Sequence, residues 1–170
     1  TKSLVGTLAA AEMVAGRIDP DDWVPTYVPQ LADSAWGDAT VRQVMDMTTA
    51  LHYDEDYTNP AAEVWTYLRA AAQVPGLPAP DGGPIGIREF LRTVRASGAH
   101  GQRYAYKTVN TEVLGWILCN VTGQPLEQLV EERLWTPMGA EQDAWVVLEP
   151  RGRAGAGGAV SGALRDMAPV

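Results

Sequence analysis

The side chains able to do chemistry in this 170-residue chain are amines, phenols and carboxylates, not metal-ligand clusters. Groups of that kind carry protons. Lys2 stands in the opening Thr-Lys-Ser-Leu, at the head of an apolar run, and Tyr106 lies in Tyr104-Ala-Tyr-Lys107. Tyr57 follows three consecutive acids, Asp54, Glu55 and Asp56. Read singly, each has an ordinary explanation. A lone terminal lysine is exposed, a tyrosine packs its ring and leaves its hydroxyl at the surface, and an acidic triplet is a solvated loop. Ser3 follows Lys2 instead of preceding it by three residues, so it is a poor nucleophile for that lysine.

Other reactive types are set aside on spacing. His52 and His100 lack metal-ligand spacing, and the acids have no geometric partner for a metal. The single cysteine, Cys119, sits in an apolar helical run and reads as a small buried hydrophobe. RGRAGAGG, residues 151–158, is not a phosphate loop, because no Lys-Ser or Lys-Thr follows its glycines. A net charge of −8 argues against a nucleic-acid or anionic-membrane surface. One cysteine cannot form an internal disulfide framework. No apolar run approaches the roughly 18 residues of a membrane span.

The elements that must position these residues are mostly helical. Leu4, Val5, Leu8, Ala9 and Met13 recur at helical spacing, with Gly16 as the stop. Trp23 to Leu31 carries two prolines, Pro25 and Pro29, and reads as an extended connection. Thr40 and Gln43 form a capping box for a short helix ending near Thr48. Asn59 and Pro60 signal a helix running to about Gln73. Val74 to Gly86 is a Pro- and Gly-rich loop. A helix is expected from Ile87 to Ala96. A strongly apolar, central helix is expected from Thr108 to Val121, stopped by Gly123, and another from Pro125 to Leu134. Ala144 to Leu148 is the one convincing strand, and Ser161 is expected to cap a last short helix.

Several of these stretches together resemble one family. Thr1-Lys-Ser-Leu4 resembles the end of an S-x-x-K motif at a helix start. Gly101–Gly123, GQRYAYKTVNTEVLGWILCNVTG, is similar to a Tyr-x-Asn or Tyr-x-Ser motif leading into a helix that ends in V-T-G. Leu134–Gln142 and Gly157–Ala168 resemble the family's Pro-Leu-Gly turn and Gly-Gly-x-x-Ser segment. The family is that of the serine β-lactamases, D,D-peptidases and esterases. Gly16–Leu31, Val41–Val64 and Tyr104–Ile117 resemble its nylon-oligomer-hydrolase branch, and Asp54–Pro60, DEDYTNP, is the most specific element.

The resemblance implies a serine hydrolase that cleaves a small linear amide or an ester through an acyl-enzyme, with no metal or organic cofactor. Its nucleophilic serine would precede Lys2 by three residues, upstream of Thr1. Lys2 and Tyr106 would be the catalytic pair that activates it, Lys2 favouring the phenolate by its charge. Tyr57 would bind substrate at the scissile amide. The third motif residue is Thr108 where Asn is commonest. A hydroxyl can donate as Ser would, but the two-sided amide is lost, which favours amide or ester hydrolysis over β-lactam cleavage. Residues 1–170 are thus expected to be a partial domain, mainly α: the helical subdomain of an α/β β-lactamase-like fold, lacking most of its antiparallel sheet. Such a fragment would be inactive alone, and its uncovered apolar face would favour association, as in a homodimer. No nucleic-acid or membrane partner is expected, and a cytoplasmic location is favoured. The alternatives are an esterase, a D,D-peptidase, or a non-catalytic binding domain of the same fold.

Overall fold

A computed structural model describes residues 1–74, 76, 81–158 and 160–167. Its centre is helix α6, which forms where the sequence is most continuously apolar. To number it, the preceding elements are α1 (Lys2–Val14), α2 (Val24–Tyr27), α3 (Val41–Met45), β1 (Leu51–His52), α4 (Glu63–Ala70), α5 (Ile87–Leu91) and β2 (Arg95–Ala96). Then come α6 (Thr108–Thr122), α7 (Leu126–Val130), β3 (Trp145–Val146), β4 (Val160–Ser161) and α8 (Leu164–Met167).

Val109, Val113, Leu114, Ile117 and Leu118 bury α6 on several sides, against α1, α2, α3, α5 and α7. Each such side chain contributes about 1.5–3 kcal/mol on leaving water. The helix ends at Gly123, whose φ of +70° is a left-handed stop that glycine adopts without strain. Asn110 is fully buried on α6 and satisfied there. Its Oδ1 accepts from Trp36 Nε1 at 3.0 Å and from the Thr49 hydroxyl at 2.8 Å.

Helix α1 lays Leu4, Val5, Leu8 and Ala9 on α6 and ends before Gly16. The same helix buries Glu12, which accepts from Arg17 and Arg133 and so is paired as a buried charge must be. Helix α3 starts on the expected capping box: Thr40 Oγ1 accepts from Gln43 N at 3.2 Å, and Gln43 Oε1 accepts from Thr40 N at 2.9 Å.

Strands β1 and β2 pair antiparallel, Leu51 with Ala96 and His52 with Arg95. Strands β3 and β4 pair Trp145 with Ser161 and Val146 with Val160. Among the described residues no helix is long and apolar enough to cross a membrane.

The structure corrects several expectations. Trp23 to Leu31 is not extended: it holds α2 and a 3-10 turn at Pro29–Leu31, because Pro25 and Pro29 each fall at a helix start, where a missing N–H costs nothing. Asn59 does not cap a helix. Its Oδ1 accepts from Ala61 N in a local turn, Ala62 stays extended, and α4 begins at Glu63. Helix α5 stops at Leu91, and Arg95–Ala96 joins a strand instead. Beyond Val130 the helix widens into a π-helical turn, Glu131–Trp135. Ser161 lies in β4 and not at a helix cap, so Ala144–Leu148 is not the single strand expected. Part of the loop expected at Val74–Gly86 lies outside the described residues.

Candidate active site

Lys2 sits in the first turn of α1 and is partly exposed. Its Nζ donates to the carbonyl of Gly157 and stands 5.4 Å from the centroid of the Tyr106 ring. That places an ammonium over an aromatic face, within cation–π range. Tyr106 is about half exposed and belongs to the extended stretch that leads into α6. Its neighbours clamp this stretch from both sides. Ala105 N donates to Met47 O at 2.8 Å, and Lys107 Nζ donates to Leu51 O at 2.6 Å and Tyr53 O at 2.8 Å. Met47 itself has φ +55°, a left-handed conformation that costs a non-glycine residue about 1–2 kcal/mol. Burial lowers the Lys107 pKa, opposed by the nearby carboxylates of Asp54, Glu63 and Glu55. Lys107 is therefore a structural clamp beside Tyr106, and nothing in the sequence distinguished it.

Glu55 binds the 54–60 loop to the same place. One of its oxygens accepts from Thr108 N at 2.7 Å and the other from the Thr108 hydroxyl. A carboxylate at the first turn of α6 satisfies a free N–H and faces the positive end of the helix dipole. The middle acid of the triplet is therefore not merely solvated. It also accepts a hydrogen bond from the Thr108 hydroxyl, so the donor expected at this motif position is engaged by the 54–60 loop.

The Tyr57 hydroxyl lies 3.4 Å from Glu55 Oε1, and its ring meets Trp65 edge-on at 6.1 Å. Partial burial raises the Tyr57 pKa first, then the Glu55 charge, with Tyr106 adding to the rise. Tyr57 is therefore a neutral phenol near neutral pH. Of the three residues singled out in the sequence, Lys2 and Tyr106 are in contact, and Tyr57 is linked through Glu55 to Thr108, two residues beyond Tyr106.

A second carboxylate had no sequence signal. Glu112, one turn into α6, is almost wholly buried. Its Oε1 accepts from the Tyr67 hydroxyl at 2.7 Å and Gly157 N at 2.8 Å, and its Oε2 accepts from Ala156 N at 2.8 Å. Burial raises its pKa, while these hydrogen bonds and Lys2 pull it back.

The remaining candidates are structural. His100 Nδ1 accepts from Ala50 N at 2.9 Å, and its Nε2 faces Asp38 at 3.2 Å. Burial raises the Cys119 pKa, so its thiol stays protonated and unreactive. One cavity of about 310 Å³ lies between α1, α7 and β3, and another of about 270 Å³ lies beside Arg88, Trp116 and Glu149. Neither is lined by Lys2, Tyr57 or Tyr106.

With this arrangement in view, the class is defined: the chain belongs to the beta-lactamase family, whose model matches residues 1–169. It is 40% identical to the 6-aminohexanoate-dimer hydrolase of Paenarthrobacter ureafaciens over 170 residues, all of this chain and 42% of that protein. Esterase EstB of Burkholderia gladioli is 28% identical over 163 residues, 88% of this chain and 38% of the esterase. Among solved structures, a Bacillus anthracis protein assigned as a 6-aminohexanoate-dimer hydrolase superposes with a TM-score of 0.86 at 28% identity. The match covers 98% of this chain and 44% of that one. A class C beta-lactamase superposes with a TM-score of 0.59 at 22% identity, which supports the shared fold alone. The chain therefore spans about two fifths of the length of these relatives.

Proposed function

We propose that this chain is the Lys- and Tyr-bearing part of a serine hydrolase that cleaves linear amides or esters, with an activity like that of the 6-aminohexanoate-dimer hydrolase. The observation that carries the reading is the seating of the Lys2 ammonium over the Tyr106 ring. An amine and a phenol in contact can share the removal of a proton from an alcohol, which is otherwise a weak nucleophile.

In this reading a serine three residues ahead of Lys2, in the longer protein, shares its helical face. Tyr106 takes the hydroxyl proton as the serine oxygen bonds to the substrate carbonyl carbon. The Lys2 ammonium, seated over the Tyr106 ring, offsets negative charge that develops on the reacting oxygens. The proton then passes to the leaving nitrogen or oxygen as the carbonyl carbon–heteroatom bond breaks. Water repeats the sequence on the acyl-enzyme, releasing the acid and restoring the serine. Tyr57, held as a neutral phenol, donates to the substrate amide. Because residue 108 is Thr and not Asn, and its hydroxyl is engaged by Glu55, the site lacks an amide at that position, which favours linear amides and esters over β-lactams.

The test is turnover of a p-nitrophenyl ester, a linear amide dimer and nitrocefin by the full-length protein and by residues 1–170 alone. The expected result is ester and linear-amide hydrolysis by the full-length protein, little nitrocefin turnover, and none of the three by the shorter chain. Hydrolysis by residues 1–170 alone would overturn the assignment of the nucleophile.

A further inference from the structure

Two glycine-rich contacts meet at Glu112. The backbone N–H groups of Ala156 and Gly157 both point at its carboxylate, and the next polar group along the chain, the Gly157 carbonyl, accepts from Lys2. The segment has no freedom to move toward α6. A Cβ on Gly157 would overlap the Thr108 side chain and come within 2.8 Å of Glu112 Oε1. On the far side the Tyr67 hydroxyl occupies Glu112 Oε1, so both oxygens are engaged.

We propose that Glu112 is a positioning residue for the Lys2–Tyr106 pair: its carboxylate fixes the Ala156–Gly157 backbone, and that backbone holds the Lys2 ammonium over the Tyr106 ring. The carboxylate touches neither substrate nor the reacting atoms. It acts through two N–H groups and one carbonyl. The geometry explains why an acid is buried here. Two backbone donors and a phenol converge on one side chain, and a carboxylate accepts all three, whereas an amide presents one acceptor and two donors. The charged or titratable groups around Glu112 include Lys2 from α1, Tyr67 from α4 and Tyr53 from the segment after β1, and Arg88, Cys119, Glu127, Glu149 and Arg153 line the same cavity as Glu112. Lys2 is the cation that acts on it.

The proposal rests on the hydrolase reading only in its kinetic part, so two measurements separate them. In the full-length protein, Glu112→Gln is expected to lower kcat for a p-nitrophenyl ester more than tenfold, with KM within threefold, and to shift the pH–rate profile. Glu112→Asp, which keeps the charge, is expected to recover part of the loss. A folded Glu112→Gln protein with wild-type kcat and pH profile would overturn the proposal. The second measurement needs neither activity nor a variant: NMR of the wild-type protein across acid pH. The Ala156 and Gly157 amide protons and the Lys2 13Cε signal are expected to follow the Glu112 carboxyl through one shared titration. A Lys2 signal that ignores that titration would overturn the proposal even in an active enzyme. Coupling without turnover would uphold it and count only against the hydrolase reading.

Discussion

Glu55 accepts a hydrogen bond from the backbone N–H of Thr108 at 2.7 Å and a second from its hydroxyl, so a loop acid closes the head of the central helix. The two residues come from separate parts of the chain, and the contact ties the Tyr57 loop to the segment that carries Tyr106. Glu55→Ala removes the carboxylate that both Thr108 donors meet at the first turn of α6. The expected cost is about 1–2 kcal/mol, the range for losing a helix cap. Urea unfolding of the wild type and the variant measures it, and an unchanged midpoint would mean the contact does not persist in solution.

The Lys2–Tyr106 contact predicts paired kinetic losses in the full-length protein. Tyr106→Phe keeps the ring under the ammonium but removes the proton carrier. Turnover of a p-nitrophenyl ester is expected to fall by roughly 10²–10⁴-fold, the usual contribution of a positioned acid or base. Lys2→Met is expected to cause a loss of similar order. The double variant should lose little more than either single one, because residues acting as a unit are not additive. Full additivity would show that the two work independently.

Tyr57 offers a contrast between substrates. Its hydroxyl is the group proposed to meet an amide, so Tyr57→Phe is expected to slow linear-amide hydrolysis by about tenfold, near the worth of one hydrogen bond in a site. An ester, whose leaving oxygen needs no such donor, should change by less than about threefold. Equal losses on both substrates would place Tyr57 in loop folding and not in recognition.

Two buried glutamates should respond to acid in opposite senses. Glu12 titrates below the ordinary glutamate value, chiefly through its hydrogen bond from Arg17, with further help from Arg133. Its stabilisation is complete above the unfolded value of about 4.3 and is lost as pH falls through the lower folded value. Glu112 titrates above that value because it is buried, so its contribution is present below about 4.3 and is lost as pH rises through the higher folded value. Glu12→Gln should therefore melt lower than the wild type at pH 7, and the gap should close on acidification. Melting curves between pH 3 and 7 check this, and a constant gap would mean that the Glu12 charge contributes nothing.

Local signals proved legible where one segment supplied both halves of a pattern. The apolar run and glycine stop of α6 and the Thr40–Gln43 box both read straight from the chain. So did the idea that Lys2 and Tyr106 belong together, though only by family resemblance. What stayed hidden depended on distant partners. Glu55 looked like one of three solvated acids, because its donors lie at Thr108. Glu112 carries no local signal at all, because its three donors come from Tyr67, Ala156 and Gly157. Asn59-Pro60 carries a strong start signal, but the side chain is satisfied two residues later, and the helix waits until Glu63. Strand β4 could not be read from two residues whose pairing is with Val146 and Trp145.

The double duty of Glu55 also limits how such a site could be re-tuned. A change that reshapes this loop for a bulkier or more charged molecule risks unseating the very helix on which Tyr106 depends. New specificities are therefore more easily acquired one side chain at a time, as at Tyr57, with Glu55 and the helix left untouched.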